Sequence, residues 1–143
     1  MSKGNTYETD FLALLFNATA IPNVADNAAT APLTNLAVAL HTADPGEAGT
    51  QATSETAYTG YARISVARTA GGWTVASGSV SPVANIEFGE CTAAPGAAIT
   101  HFSVGPTGGG ATKIFYSGTI TPNITMAIGV IPRLKITSTI TED

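Results

Sequence analysis

Residues 61–69, YARISVART, decide how the chain is read. Ala62, Ile64 and Val66 alternate with Arg63, Ser65 and Ala67, the period-two pattern of a strand covered on one face. Gly71-Gly72 follows as a hairpin signal, and Trp73 to Ser77 (WTVAS) reads as the returning strand. Upstream, residues 33–41 (LTNLAVALH) are apolar almost throughout, which fits a strand covered on both faces. Downstream, strands are expected over 85–88, 98–104, 113–120, 126–131 and 133–140, separated by the turn at 92–97 (TAAPGA) and the glycine-rich loop at 105–112. About eight strands spaced ~8–14 residues apart, with no alternation of strand and helix, predict a mainly β fold. The expected architecture is an antiparallel β-sandwich or jelly-roll-like barrel with one N-terminal α-helix.

That helix is expected over residues 5–17. Asn5 is the candidate cap, with Glu8 completing a capping-box pair. Tyr7, Phe11, Leu14 and Leu15 share one helical face, and Leu12 and Phe16 widen it. Such a helix either enters the core or docks on a neighbouring subunit. Residues 18–35, with Pro22 and Pro32, read as an irregular connector. The expected organisation is an N-terminal arm and helix over 1–17 and a single β-domain over 18–143.

The long loop 42–60 (TADPGEAGTQATSETAYTG) contains a turn signal, Asp44-Pro45-Gly46: proline presets φ at the second turn position and glycine accepts positive φ at the third. Loops of this length are usually functional.

Composition removes several function classes. Charged residues are 11% of the 143, against 44% hydrophobic, so Thr, Ser and Asn supply the polar surface, which suits burial in an assembly. The net charge is −4 and the six Lys and Arg are scattered, which argues against a grip on nucleic-acid phosphates. Cys91 stands alone, so no internal disulfide can form. No apolar run approaches the ~20 residues of a membrane helix, and the first residues lack a secretory signal pattern, so no membrane partner is expected.

Chemistry finds little footing. His41 and His101 lie in apolar strands, with only Asp44 near His41, short of the three or four ligands of a zinc site. Ser103 and Ser117 lack the glycines of a nucleophile elbow. Glu87 and Glu90 read as surface charges. Residues 105–112 lack the phosphate-loop spacing and precede a strand. Trp73, Tyr58 and Tyr61 could make a sugar-stacking platform, although a lone tryptophan more often anchors a core. No catalytic residue, cofactor or metal is expected.

Six segments carry a family likeness: LAVALHTADPGEAGTQATSE (36–55), AYTGYAR with RTAGGWTV (57–63 and 68–75), and ITHFSVG with KIFYSGT and TPNI (99–105, 113–119 and 121–124). They resemble a family of small tailed-phage virion proteins often labelled phage tail fibre proteins, over roughly residues 5–143. The resemblance implies a structural virion protein, assembled in the host bacterial cytoplasm. Small size, low charge and the lack of fibre repeats or heptads point within that class to a capsid decoration (cement) protein that stabilises the head. It would bind the major capsid protein, self-associate as a dimer or trimer, and meet other virion proteins. The alternative is a tail fibre or tail-tip component contacting the host receptor. Candidate contact residues are Tyr7, Phe11, Leu12, Leu15 and Phe16 on the helix, Asp44, Glu47, Glu55 and Tyr58 on the long loop, and Gly108.

Overall fold

A computed structural model of the chain describes residues 3–107 and 113–142. It is mainly β, with antiparallel sheets and one N-terminal helix, in line with the expected class. Two compact units form, each from separate chain segments: Met1–Asn35, Val66–Ile86 and Leu134–Asp143 in the first, Leu36–Ser65 and Glu87–Arg133 in the second.

In the first unit, helix α1 spans Asn5–Asn17. Its cap is Gly4, in extended conformation, and no side chain makes a capping hydrogen bond there, so Asn5 is not the cap expected of it. Asn5 lies within the first turn, where its carbonyl oxygen accepts from Thr9 Oγ1 at 3.1 Å. The far end stops on Ala18, which takes the left-handed conformation (φ 54°), and Thr19 N donates to Ala13 O. The last carbonyls need donors that the helix cannot supply. Arg68 provides them: Nη2 donates to Leu14 O and Nε to Leu15 O, both at 2.6 Å, while Nη1 donates to Asn27 Oδ1 at 2.7 Å and to Leu33 O at 3.2 Å. One guanidinium thus fastens both the helix end and the irregular connector.

The buried stripe of α1 is Leu12 and Phe16, one turn apart, with no exposed surface. Tyr7 is exposed and Phe11, Leu14 and Leu15 are half-buried, so the core-facing stripe lies to one side of the face expected from Tyr7, Phe11, Leu14 and Leu15. Phe16 meets Trp73 edge-on, with ring centroids 4.9 Å apart. Trp73 begins β3 (Trp73–Ala76), which pairs with β4 (Ser79–Pro82), and β9 (Ile140–Thr141) joins the other side of β4.

The turn between β3 and β4 is Ser77-Gly78, with positive φ at both residues (51° and 68°), the tight two-residue hairpin geometry. Gly78 N also donates to Thr9 Oγ1 at 2.8 Å, tying hairpin to helix. Gly71-Gly72 is therefore not the hairpin loop. β2 (Ile64–Ala67) and β3 belong to different sheets. A Cβ on Gly72 would fall 2.1 Å from Ala67 O, so glycine is needed there for close backbone approach.

The second unit is built on β1 (Asn35–His41), β6 (Ile99–Pro106) and β7 (Tyr116–Ile124), in a four-stranded sheet of order β2-β1-β6-β7. β1 has a strand on each side and is buried from Leu36 to His41, which explains its continuous apolar run. β2 keeps the expected alternation, with Ile64 and Val66 half-buried and Ser65 and Ala67 exposed. The short strands β5 (Ile86–Glu87) and β8 (Arg133–Leu134) pair with each other, and Phe88 N extends them by donating to Pro132 O.

Residues 126–131, expected as a strand, form a turn instead. Gly129 has positive φ (87°), and Val130 N donates to Ala127 O. The segment still pairs locally, through Gly129 N to Cys91 O and Cys91 N to Val130 O. Likewise Ser138 N closes a turn onto Lys135 O, which splits the expected strand 133–140 into β8 and β9.

Phe16→Ala should lower the unfolding free energy by about 3–5 kcal/mol in a urea titration followed by circular dichroism. Tyr7→Ala, on the exposed side, should cost under about 1 kcal/mol; equal losses would contradict the placement of the helix.

Candidate functional site

The long loop folds back on the end of β1. Thr42 N donates to Ser54 O at 2.8 Å and Thr56 N to Leu40 O at 2.9 Å. The Asp44-Pro45-Gly46 turn forms as its residues require: Gly46 has φ 70°, its N–H donates to Asp44 Oδ1 at 2.9 Å, and Pro45 is buried.

Beneath this loop lies a polar cluster in the second unit. Arg63 binds Glu55 with both ends of its fork, Nε to Oε1 and Nη2 to Oε2, each at 2.7 Å. Arg63 Nη1 donates to Gln51 Oε1 at 3.3 Å. Gln51 Nε2 donates to Ala37 O at 3.0 Å and reaches Ser103 Oγ at 3.5 Å. Ser103 Oγ lies 2.8 Å from His41 Nε2, and His41 Nδ1 lies 2.8 Å from Thr53 O. Tyr61 OH donates to Glu55 Oε1 at 2.8 Å and accepts from Leu40 N at 3.1 Å.

The acceptors fix the protons. Thr53 O can only accept, so Nδ1 of His41 carries the hydrogen and Nε2 accepts from the Ser103 hydroxyl. The donors then run one way, from Arg63 through Gln51 and Ser103 to His41 and into the loop backbone at Thr53.

The electrostatics follow from this packing. Burial pushes the His41 pKa below its usual value, against the opposing pull of its bond to Thr53 O and the charge of Glu55; the charges of Arg63 and His101 add to the lowering. For Glu55, burial works upward, but hydrogen bonds from Arg63 and Tyr61 and the guanidinium charge hold it below the ordinary carboxylate range. Burial pushes Tyr58 up to about 12, and its hydroxyl donates to Gly89 O at 2.8 Å.

A serine beside a histidine invites a nucleophilic reading, but Ser103 and His41 have no exposed surface. The far nitrogen of His41 meets a backbone carbonyl rather than a carboxylate. What this arrangement does is brace: it fixes the loop to β1 and β6. The His41–Asp44 pairing considered for a metal does not form, since both imidazole nitrogens are engaged elsewhere and Asp44 caps its own turn. Among the described residues no three metal-ligating side chains converge, and no helix is long and apolar enough to cross a membrane.

The expected contact residues fall in both units. Tyr7 is exposed, and Phe11 and Leu15 are half-buried, while Leu12 and Phe16 are interior. Asp44 and Glu47 are exposed at the loop turn. Glu55 is tied to Arg63 and Tyr58 is buried, so both support the loop from below. Gly108 lies outside the described residues. Trp73 is buried in the first unit, and in the second Tyr58 is buried and packs edge-on against Tyr61, so neither ring face is offered to a sugar. No sequence pattern groups Arg63, Gln51 and Ser103, which hold the brace; the one local hint is for the ion pair, an arginine on an alternating segment eight residues after a loop glutamate.

The chain is thus mainly β, with a long loop braced from within by buried polar contacts. A family model for podophage GP4 fiber I protein gp80 matches residues 5–141, nearly the whole chain, and the chain belongs to that family of phage fibre proteins. A comparison with curated proteins finds no match.

Removing the brace should loosen the loop. Arg63→Met leaves the Glu55 carboxylate without its cation, and should cost about 1–3 kcal/mol in denaturant unfolding, with faster hydrogen exchange at Thr42 and Thr56. His41 takes up a proton less readily in the folded chain than in the unfolded one, where it titrates near pH 6.5. Stability should therefore be complete above about pH 7 and fall as pH drops through about 6.5 toward the lowered folded value. The Glu55 contribution should fade below pH 4.5 or so. A His41→Gln chain should lose the first of these steps in melts run across that range and keep the second.

Proposed function

We propose that this chain is a structural fibre component of a podophage virion, working through protein contacts rather than chemistry. The observation that carries this reading is the family match over residues 5–141. The brace supports it: a loop with exposed Asp44, Gly46, Glu47 and Ala48 is held on a buried strand at a fixed geometry, which lowers the entropy cost of meeting a partner. A surface poor in charge also suits contacts that must exclude water. The decoration role expected from small size, low charge and the lack of fibre repeats or heptads rests on those features, whereas the fibre reading has a family behind it. In either setting the partners would be other virion proteins, and a fibre tip would add a host surface.

Immunogold labelling of purified virions, or a cryo-EM reconstruction into which the two units are fitted, tests the location. Label or density on the tail or its fibres is the expected result. A regular lattice of this protein on the head shell would overturn the fibre reading in favour of a decoration role.

A further inference from the structure

We propose that β7 is an open sheet edge through which two copies of this chain pair, β7 against β7 across a two-fold axis. β7 is the outer strand of the four-stranded sheet and has β6 on one side only. It runs for nine residues, Tyr116–Ile124, whereas β2 at the opposite edge has four. Natural sheets blunt such edges with charged side chains, proline or shortness, because a free row of N–H and C=O groups templates another strand. β7 carries no Lys, Arg, Asp or Glu; what blunts it lies beyond Thr119, where its register with β6 shifts before Ile124 and Pro122 stands. The stretch Ser117–Thr121 is left open. Among the described residues, its backbone makes no hydrogen bond outside the pairing with β6. Ser117, Thr119 and Thr121 are exposed and alternate with the half-buried Gly118 and Ile120, so the strand also shows a row of hydroxyls on one face.

The occupant these features favour is a second copy. Antiparallel pairing centred on Thr119 sets Thr119 opposite itself and Ser117 opposite Thr121. Hydroxyl pairs of this kind are favourable across strands, whereas like charges placed opposite one another are not. Each copy carries a net charge of −4, so two copies approach at least cost along a strip that bears no charge. The arrangement closes on itself as an isologous dimer. Edge pairing alone covers less than the ~800 Å² per partner of a standard interface, so the solution dimer is weak, and it gains strength wherever an assembly holds copies side by side. The proposal stands whether the chain sits on a fibre or elsewhere in the particle.

Sedimentation equilibrium of the full chain from about 10 μM to about 1 mM tests it. A monomer–dimer equilibrium is expected. Thr119→Lys should raise the dissociation constant at least about tenfold, while Thr119→Val should preserve the dimer. Hydrogen exchange decides the matter independently of variants that fail to fold: amides within Ser117–Thr121 should become more protected as concentration rises. A chain that stays monomeric throughout, a trimer, a Thr119→Lys chain that associates like the parent, or protection independent of concentration would overturn the proposal.

Discussion

Irregular backbone can be buried only where its polar groups find partners, and in this chain guanidinium groups meet that requirement. Arg68 gathers carbonyls from the end of α1 and from the connector that follows it. Arg63 holds Glu55 and Gln51, and through Gln51 the cluster reaches Ser103 and His41. Arginine suits both tasks because its donors are fixed in a planar fork and its charge does not leave on burial. In a chain with only six basic residues, two of them organise the segments that strands and helix leave unsatisfied.

The brace also accounts for how a long polar loop can belong to a structural protein. Left free, residues 42–58 would lose much entropy on meeting a partner. Held at Thr42, Thr53 and Thr56, they keep one shape while Asp44, Gly46, Glu47 and Ala48 stay exposed. The serine–histidine contact inside the cluster takes its meaning from burial: the same two side chains at a cleft would suggest acyl transfer, and here they close a chain of hydrogen bonds that starts on Arg63.

Much of the fold could be read from the residues, because it depends on local pattern. The alternation of Ile64 and Val66, the apolar run through β1 and the Asp44-Pro45-Gly46 turn all appear where their periods and turn chemistry put them. The departures have tertiary causes. Ser77-Gly78 makes the hairpin rather than Gly71-Gly72, because strand partners are chosen at long range and Gly72 serves a close backbone contact. The buried stripe of α1 passes through Leu12 and Phe16 because Trp73 lies there. The brace was the least legible part. Its members come from two strands, a loop and the segment before β2, and no spacing in the sequence announces that Gln51, Arg63 and Ser103 will meet.

Trp73 is the chain's one tryptophan, sealed edge-on against Phe16, and its indole nitrogen finds no hydrogen-bond acceptor among the described residues. All indole emission therefore originates in the first unit, from a buried site whose aromatic neighbour Phe16 belongs to the helix. The molecule carries an intrinsic optical reporter of helix docking, to which the braced loop of the second unit contributes no indole signal of its own. Melting recorded by indole emission follows the first unit, whereas backbone dichroism sums both units, so the coincidence or separation of the two curves measures how far the chain unfolds as one cooperative whole.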